Sequence, residues 1–163
     1  MHKEIVLAGG CFWGVEKYLG LLPQVVATEV GFANGDGEHP RYEEVYTGLT
    51  GFAEVVRLSY TGELAELLPR FYAIIDPTSL NRQAGDVGSH YRTGVYFTDP
   101  YEQAIIAETL SQLQKEYDAP IVVENAPLLN YYKAEEYHQK YLDKNPEGYC
   151  HLPESAYEAA RQG

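Results

Sequence analysis

Glu4-Ile5-Val6-Leu7-Ala8-Gly9-Gly10-Cys11-Phe12-Trp13-Gly14-Val15-Glu16-Lys17-Tyr18-Leu19-Gly20-Leu21-Leu22 is the stretch that decides the fold. Its opening apolar run, Ile5 to Ala8, has the length of a buried strand, and Gly9-Gly10 stops it with a turn. From Phe12 the apolar side chains recur at helical spacing (Phe12, Val15, Leu19, Leu22), and Pro23 closes the helix. Strand, glycine turn and helix follow one another with a cysteine at the junction.

Outward from this unit, 24–32 and 52–60 read as strands and 64–75 as a helix. Residues 94–97 form another strand, 101–117 the longest helix, and 121–124 a last strand. Residues 131–142 read as helical, ending before Asn145-Pro146, and a short helix is expected over 154–160. Asn-Gly, Asp-Gly and Pro40 make 33–41 a long turn, and 76–91 is polar and irregular. This mixture predicts a layered sheet with helices packed against it, α+β or α/β. The two long loops, 33–51 and 76–93, are where binding and catalysis are expected.

With 163 residues and no repeat or linker, the chain is expected to form one domain, 1–163. Apolar residues at 45% and charged residues at 22% exclude disorder, and no apolar run is long enough for a membrane span. Twelve basic against 24 acidic side chains give a net charge of −12, with no Lys/Arg cluster, which excludes nucleic acid and anionic membrane as natural partners. Cys11 and Cys150 are the two cysteines, too few for a secreted disulfide scaffold. No secretory leader is legible before Cys11. A reducing cytoplasm is the expected location, where a disulfide would be transient and catalytic. No coiled-coil heptad occurs, so a monomer is expected.

Cys11 opens a helix after a glycine turn, a position whose N–H groups and dipole favour a thiolate, although most free cysteines are buried small hydrophobes. Phe12 and Trp13 follow it directly and cannot both face the same core, so one of them can wall an apolar pocket. Glu54 is the odd residue of an apolar strand. On the solvent face it would be an ordinary carboxylate; in a dry pocket it would become a general acid at neutral pH. Alternation alone leaves its face open. Among 15 tyrosines, Tyr42 and Tyr91 lie in the two informative loops. Cys150 follows Gly148-Tyr149, flanks that suit a sulfur that must travel. The five histidines form no His-x3-His pair and no Cys-x2-Cys occurs, so no metal site is expected. Nucleotide-binding glycine patterns are absent as well.

Taken together, these residues resemble the peptide methionine sulfoxide reductase A family. Gly10-Cys11-Phe12-Trp13-Gly14 with Glu16 carries its signature. Tyr42-Glu43-Glu44-Val45, Thr50-Gly51-Phe52-Ala53-Glu54, Asp76-Pro77-Thr78 and Asn81-Arg82-Gln83 follow in order. Asp86-Val87-Gly88, Tyr91-Arg92, Tyr131-Tyr132, Glu135, His138-Gln139 and Gly148-Tyr149-Cys150 complete the set, spanning roughly 4–150. The resemblance implies an α+β fold, a mixed β-sheet with helices packed against it. It implies a two-layer, ferredoxin-like sandwich, and a long coiled C-terminal segment, 143–163, carrying the recycling cysteine. It implies reduction of the S epimer of methionine sulfoxide, free or in proteins, with Cys11 as nucleophile and Glu54 as the acid on the sulfoxide oxygen. Tyr42 and Tyr91 would donate to that oxygen, Phe12 and Trp13 would wall the methyl pocket, and Asp86 would hold the substrate main chain. Cys150 would resolve the Cys11 sulfenic acid to a disulfide, and thioredoxin or another dithiol would be the only reductant, with no cofactor.

Two positions depart from the family pattern: Phe52, where histidine is common, and Tyr46, where cysteine or serine is frequent. Two-cysteine thiol peroxidase chemistry is the alternative, since it shares the sulfenic acid and the resolving step. A cysteine hydrolase pairing Cys11 with His90 or His138, and a non-catalytic acidic binding module, remain as further readings.

Overall fold

The computed structural model describes residues 3–162. β1 (Lys3–Gly9) leads into α1 (Phe12–Gly20), followed by β2 (Val25–Ala33), α2 (Tyr42–Tyr46) and β3 (Ala53–Tyr60). Then come α3 (Leu64–Tyr72), a two-residue hairpin of β4 (Arg82–Gln83) and β5 (Asp86–Val87), and β6 (Thr93–Phe97). α4 (Glu102–Gln114), β7 (Glu124–Pro127), β8 (Tyr131–Lys133), α5 (Tyr141–Lys144) and α6 (Glu154–Gln162) complete the chain. Among the described residues no helix is long and apolar enough to cross a membrane.

Six strands form one sheet in the order β7-β6-β1-β3-β2-β8, antiparallel throughout except for the β6–β7 pair. β1 and β2 run parallel with β3 between them, and β3 and β6 run parallel with β1 between them. α1 and α3 make the two crossovers, so two split β-α-β units interlock. β1 reads as a continuous apolar run because it is buried on both faces. Ile5 and Leu7 enter the large helix-covered core, while Val6 and Ala8 enter a smaller cluster on the opposite face with Ala33, Ala53, Val55 and Tyr96. α3 supplies Leu64, Leu67, Leu68 and Phe71, a single stripe at helical spacing, to the large core.

Three expectations need correction. Residues 131–142 are not one helix. Tyr131–Lys133 instead extends the sheet beside β2, and the side chain of Gln139 then occupies the place of the next ladder rung. Val30 N–H donates to Gln139 Oε1 at 2.9 Å, and Gln139 Nε2 donates to Val30 C=O at 2.9 Å and Ala134 C=O at 3.0 Å. Tertiary pairing of this kind overrides local periodicity. The strand expected at 121–124 begins instead at Glu124, where pairing with Gly94 starts. Val123 meanwhile joins the large core. The C-terminal stretch is coil only between α5 and α6. Its last part is helical because Tyr157 and Ala160, three residues apart, are buried on one stripe in the large core.

Gln139→Ala removes the acceptor of the buried Val30 N–H, whereas the Val30 carbonyl keeps its bond from Ala134 N–H at 3.0 Å. One orphaned buried amide costs about 1–3 kcal/mol. Urea unfolding of this variant is expected to show a loss in that range, and an unchanged midpoint would refute the rung-replacement role.

Candidate active site

β1 carries the chain to the centre of the sheet, and the turn after it sets the cysteine. Gly10 has φ +96°, a conformation that favours glycine, and it lies tight against the β4–β5 hairpin. A Cβ at this position would fall 2.8 Å from Gln83. Gln83 itself is clamped to Asp76, accepting its N–H and donating to its C=O, both at 2.9 Å. Cys11 then forms the N-cap of α1 and is 4% exposed.

Alternation in β3 resolves the question of Glu54. It shares a strand face with Val56, Leu58 and Tyr60, which belong to the large helix-covered core, and it pairs in register with Phe32. Its side chain is fully buried. Phe12 N–H, one of the free amides at the start of α1, donates to Glu54 Oε1 at 3.2 Å, while Oε2 is buried with no partner. Burial raises the carboxyl to about 8, with Asp86 adding to the shift and the Phe12 amide opposing it. At neutral pH Glu54 is therefore a protonated acid.

The same dryness governs Cys11. Burial first, then Glu54 and Asp86, push its thiol well above the usual value, against the pull of the Trp13 and Gly14 amides. Burial outweighs the helix N-terminus, so the resting group is a thiol rather than the thiolate that its position alone suggests.

Tyr42 is the first residue of α2, and Tyr91 ends a short 3-10 turn, Ser89–Tyr91. Both hydroxyls are raised by burial and then by Glu54, with Cys11 contributing to each. The two loops expected to carry chemistry thus converge on the Cys11–Glu54 pair. Phe12 is fully buried, packed against Phe32, Tyr42 and His138 with ring centroids 5.6, 6.2 and 5.5 Å away. Trp13 is half-buried and stacks on Tyr141 at 3.9 Å and Tyr42 at 6.3 Å, and its indole N–H donates to His138 Nδ1 at 3.0 Å. Burial holds His138 below its usual value, so it is a neutral acceptor of the indole proton. Asp86 Oδ1 accepts from the Tyr149 hydroxyl at 2.8 Å, and Oδ2 is buried without a partner.

Cys150 is free, as is Cys11. Its Sγ shares a 2.5 Å hydrogen bond with the Tyr157 hydroxyl of α6 and accepts from Leu152 N–H at 3.4 Å. It lies on the first turn of α1, where a Cβ at Gly14 would be 3.2 Å from this sulfur. Glu16 fixes the other side of that helix. Lys140 N–H donates to it at 2.6 Å and the Thr28 hydroxyl at 2.9 Å. Tyr46 is 59% exposed beside Tyr42, and Phe52 is buried edge-on to Tyr132 with centroids 5.9 Å apart.

Sequence reasoning assigned no role to the Phe12 amide, to Tyr149 on Asp86, or to Tyr157 on Cys150. Only the last two left a trace, as aromatic residues close to the second cysteine. Backbone donors leave none.

The chain is similar to known proteins over nearly its whole length. Residues 3–162 match the family described as "Peptide methionine sulfoxide reductase". The peptide methionine sulfoxide reductase MsrA of Clostridium perfringens is 58% identical over 153 residues, covering 92% of this chain and 98% of that protein. Reduced Mxr1 from Saccharomyces cerevisiae superposes with a TM-score of 0.87 at 39% identity, covering 91% of this chain and 88% of that one. A crystal structure of the same yeast protein in complex with Trx2 matches with a TM-score of 0.59 at 28% identity, covering 86% and 84%. Family model, sequence and fold agree over nearly the whole chain, which belongs to the peptide methionine sulfoxide reductase family.

Proposed function

We propose that the protein reduces the S epimer of methionine sulfoxide, free or in proteins, through a Cys11 sulfenic acid that Cys150 resolves to a disulfide and thioredoxin then reduces. The observation that carries this reading is the fully buried Glu54 carboxyl, which accepts from the amide of Phe12, the residue next to Cys11.

A sulfoxide sulfur is a poor electrophile while its oxygen carries negative charge. Glu54 gives its proton to that oxygen, and the Tyr42 and Tyr91 hydroxyls donate to it as the S–O bond polarises. As the Cys11 sulfur attacks, its proton passes to the Glu54 carboxylate. The protonated oxygen then moves from the substrate sulfur to the Cys11 sulfur, so the substrate sulfur is reduced to methionine while Cys11 is oxidised to a sulfenic acid. Trp13, with Phe12 behind it, gives the substrate methyl an apolar wall, and the unpartnered Asp86 Oδ2 is available to a substrate main-chain N–H. A polar oxygen site facing an apolar methyl site selects one epimer. The Cys150 thiol condenses with the sulfenic acid, and a dithiol returns both sulfurs to thiols. The Trx2 complex of the yeast relative supports thioredoxin as that dithiol. No further cofactor enters the scheme.

We also read 1–163 as a single catalytic, monomeric domain of the cytoplasm whose segment from 143 onward carries the recycling cysteine. Met1, His2 and Gly163 lie outside the described residues. The interlocked β-α-β units with central order β6-β1-β3-β2 support classing the core as a ferredoxin-like sandwich.

Separate S and R epimers, with dithiothreitol as reductant, test the proposal. Methionine is expected from the S epimer alone and is expected to vanish in Cys11→Ser. Folded enzyme that consumes hydrogen peroxide but reduces neither epimer would establish the peroxidase instead. Cys150→Ser is expected to release one methionine per chain and then stall with thioredoxin, and sustained thioredoxin-driven turnover would remove Cys150 from the cycle.

Glu54 predicts two pH effects. The methionine-forming step is expected to slow as pH rises through about 8, and Glu54→Gln to lower it by about 10²-fold or more. Stability moves as well. Between its ordinary value of 4.5 and its folded value of about 8, the unfolded chain ionises Glu54 while the fold keeps it protonated, so stability falls with rising pH in this window. Melting curves of Glu54→Gln should therefore exceed wild type at neutral pH, with the gain disappearing in acid. A gain that persists in acid would contradict a neutral Glu54.

A further inference from the structure

His151 follows Cys150 directly and belongs to none of the roles above. Its imidazole lies along the turn that carries Cys11. Nδ1 and Cε1 are 3.2 and 3.3 Å from the point a Cβ would occupy on Gly14, the same point from which Cys150 Sγ is 3.2 Å away. Nε2 is 3.4 Å from the corresponding point on Gly10. One ring edge and the Cys150 sulfur thus approach the same point on Gly14, and the other edge approaches Gly10, the residue preceding Cys11. Both ring nitrogens are buried and make no hydrogen bond of good geometry, although the Gly9 carbonyl lies close enough to act on the ring. Two unused polar atoms in a dry place cost free energy, so a folded chain that keeps them calls for an explanation.

From this placement we propose that His151 is the acid–base residue of the recycling step. It takes the Cys150 thiol proton and delivers one to the hydroxyl leaving Cys11. The proposal rests on the reading of Cys11 and Cys150 above. In that step the Cys150 electron pair forms the S–S bond while the Cys11 S–O bond breaks. The Cys150 sulfur is oxidised, the Cys11 sulfur is reduced, and the oxygen departs as water. Thiolate is the competent nucleophile, and hydroxide is a poor leaving group unless protonated. An imidazole with one free nitrogen on each edge serves both needs with a single proton. Nearby hydroxyls are poor bases: Tyr157 is pushed up by burial and by Cys150, and Tyr149 is engaged by Asp86. The titratable groups around the ring are Asp86 of β5, Cys11 of the α1 turn, Tyr149 and Cys150 on its own segment, and Tyr157 of α6. Burial lowers the imidazole below its usual value despite Asp86 and the Gly9 carbonyl, so it is unprotonated and ready to accept at neutral pH.

The test follows disulfide formation in the full chain after mixing with methionine (S)-sulfoxide without reductant, using acid quench, alkylation and mass spectrometry. In wild type the rate is expected to rise with pH along a limb below about 6.5, the ordinary histidine value. In H151Q and H151N disulfide formation is expected to slow by about 10²-fold. The limb should then move to the alkaline range in which a thiol ionises unaided. Variants matching wild type in both rate and profile would overturn the proposal. Melting curves identify a misfolded variant, and the wild-type profile then decides alone, an exclusively alkaline limb counting against His151. A parallel arm generates the sulfenic acid with hydrogen peroxide, which separates the two readings. Normal disulfide formation there, without methionine from the sulfoxide, sinks the sulfoxide reading and leaves His151 judged by its own rate.

Discussion

Glu54 keeps its proton only while the sheet face around it stays dry. That requirement accounts for much of the architecture. The carboxyl needs a cover, and α1 supplies it, fixed by Phe12, Val15 and Leu19 in the large core. It needs one partner without a full charge, and the Phe12 amide is that partner. The glycine turn aims the start of the helix, so that the Phe12 amide meets the acid. A buried ionisable group destabilises the fold at neutral pH, so the surrounding packing must be extensive enough to tolerate it. The interlocked sheet, with its central strand buried on both faces, gives that tolerance.

Polar side chains then fasten the loops around this centre. Gln83 clamps Asp76 beside the hairpin that bears Asp86, Gln139 extends the sheet past β8 near His138, and Glu16 holds Lys140 against α1. Gln139 and Glu16 bridge segments 109 and 124 residues apart through backbone groups, and Gln83 closes its own loop onto a residue seven positions earlier. Buried amides that regular structure leaves open are satisfied by glutamine and glutamate. Tyr42 is set at the start of the short helix α2, and Tyr91 at the end of a 3-10 turn.

Local pattern made the early half of the fold legible. The apolar run before Gly9 reflects a strand buried on both faces, the spacing from Phe12 a helix with one face on the core, and the aliphatic and aromatic run to Tyr60 another central strand. The later half was harder, because Tyr131–Lys133 owes its strand conformation to the edge of β2, although the helix expected over 154–160 is present as α6. Within the site, Cys11, Glu54, Tyr42 and Tyr91 were legible as residue types in telling places. The face taken by Glu54 was not, since an acid within a strand has the same spacing on either side. At Cys11 burial outweighs the helix terminus, and the size of that burial is a matter of packing.

The sheet ends on both sides in very short strands. β8 has three residues and carries Lys133, while β7 has four and finishes at Pro127, which has no N–H to offer. Polypeptide loosened by oxidative damage exposes backbone groups of its own. Long bare margins would invite such chains to add themselves as further strands and grow into aggregates. Margins this brief, one charged and one closed by proline, leave visiting polypeptide little to pair with, and it can depart once it has been served.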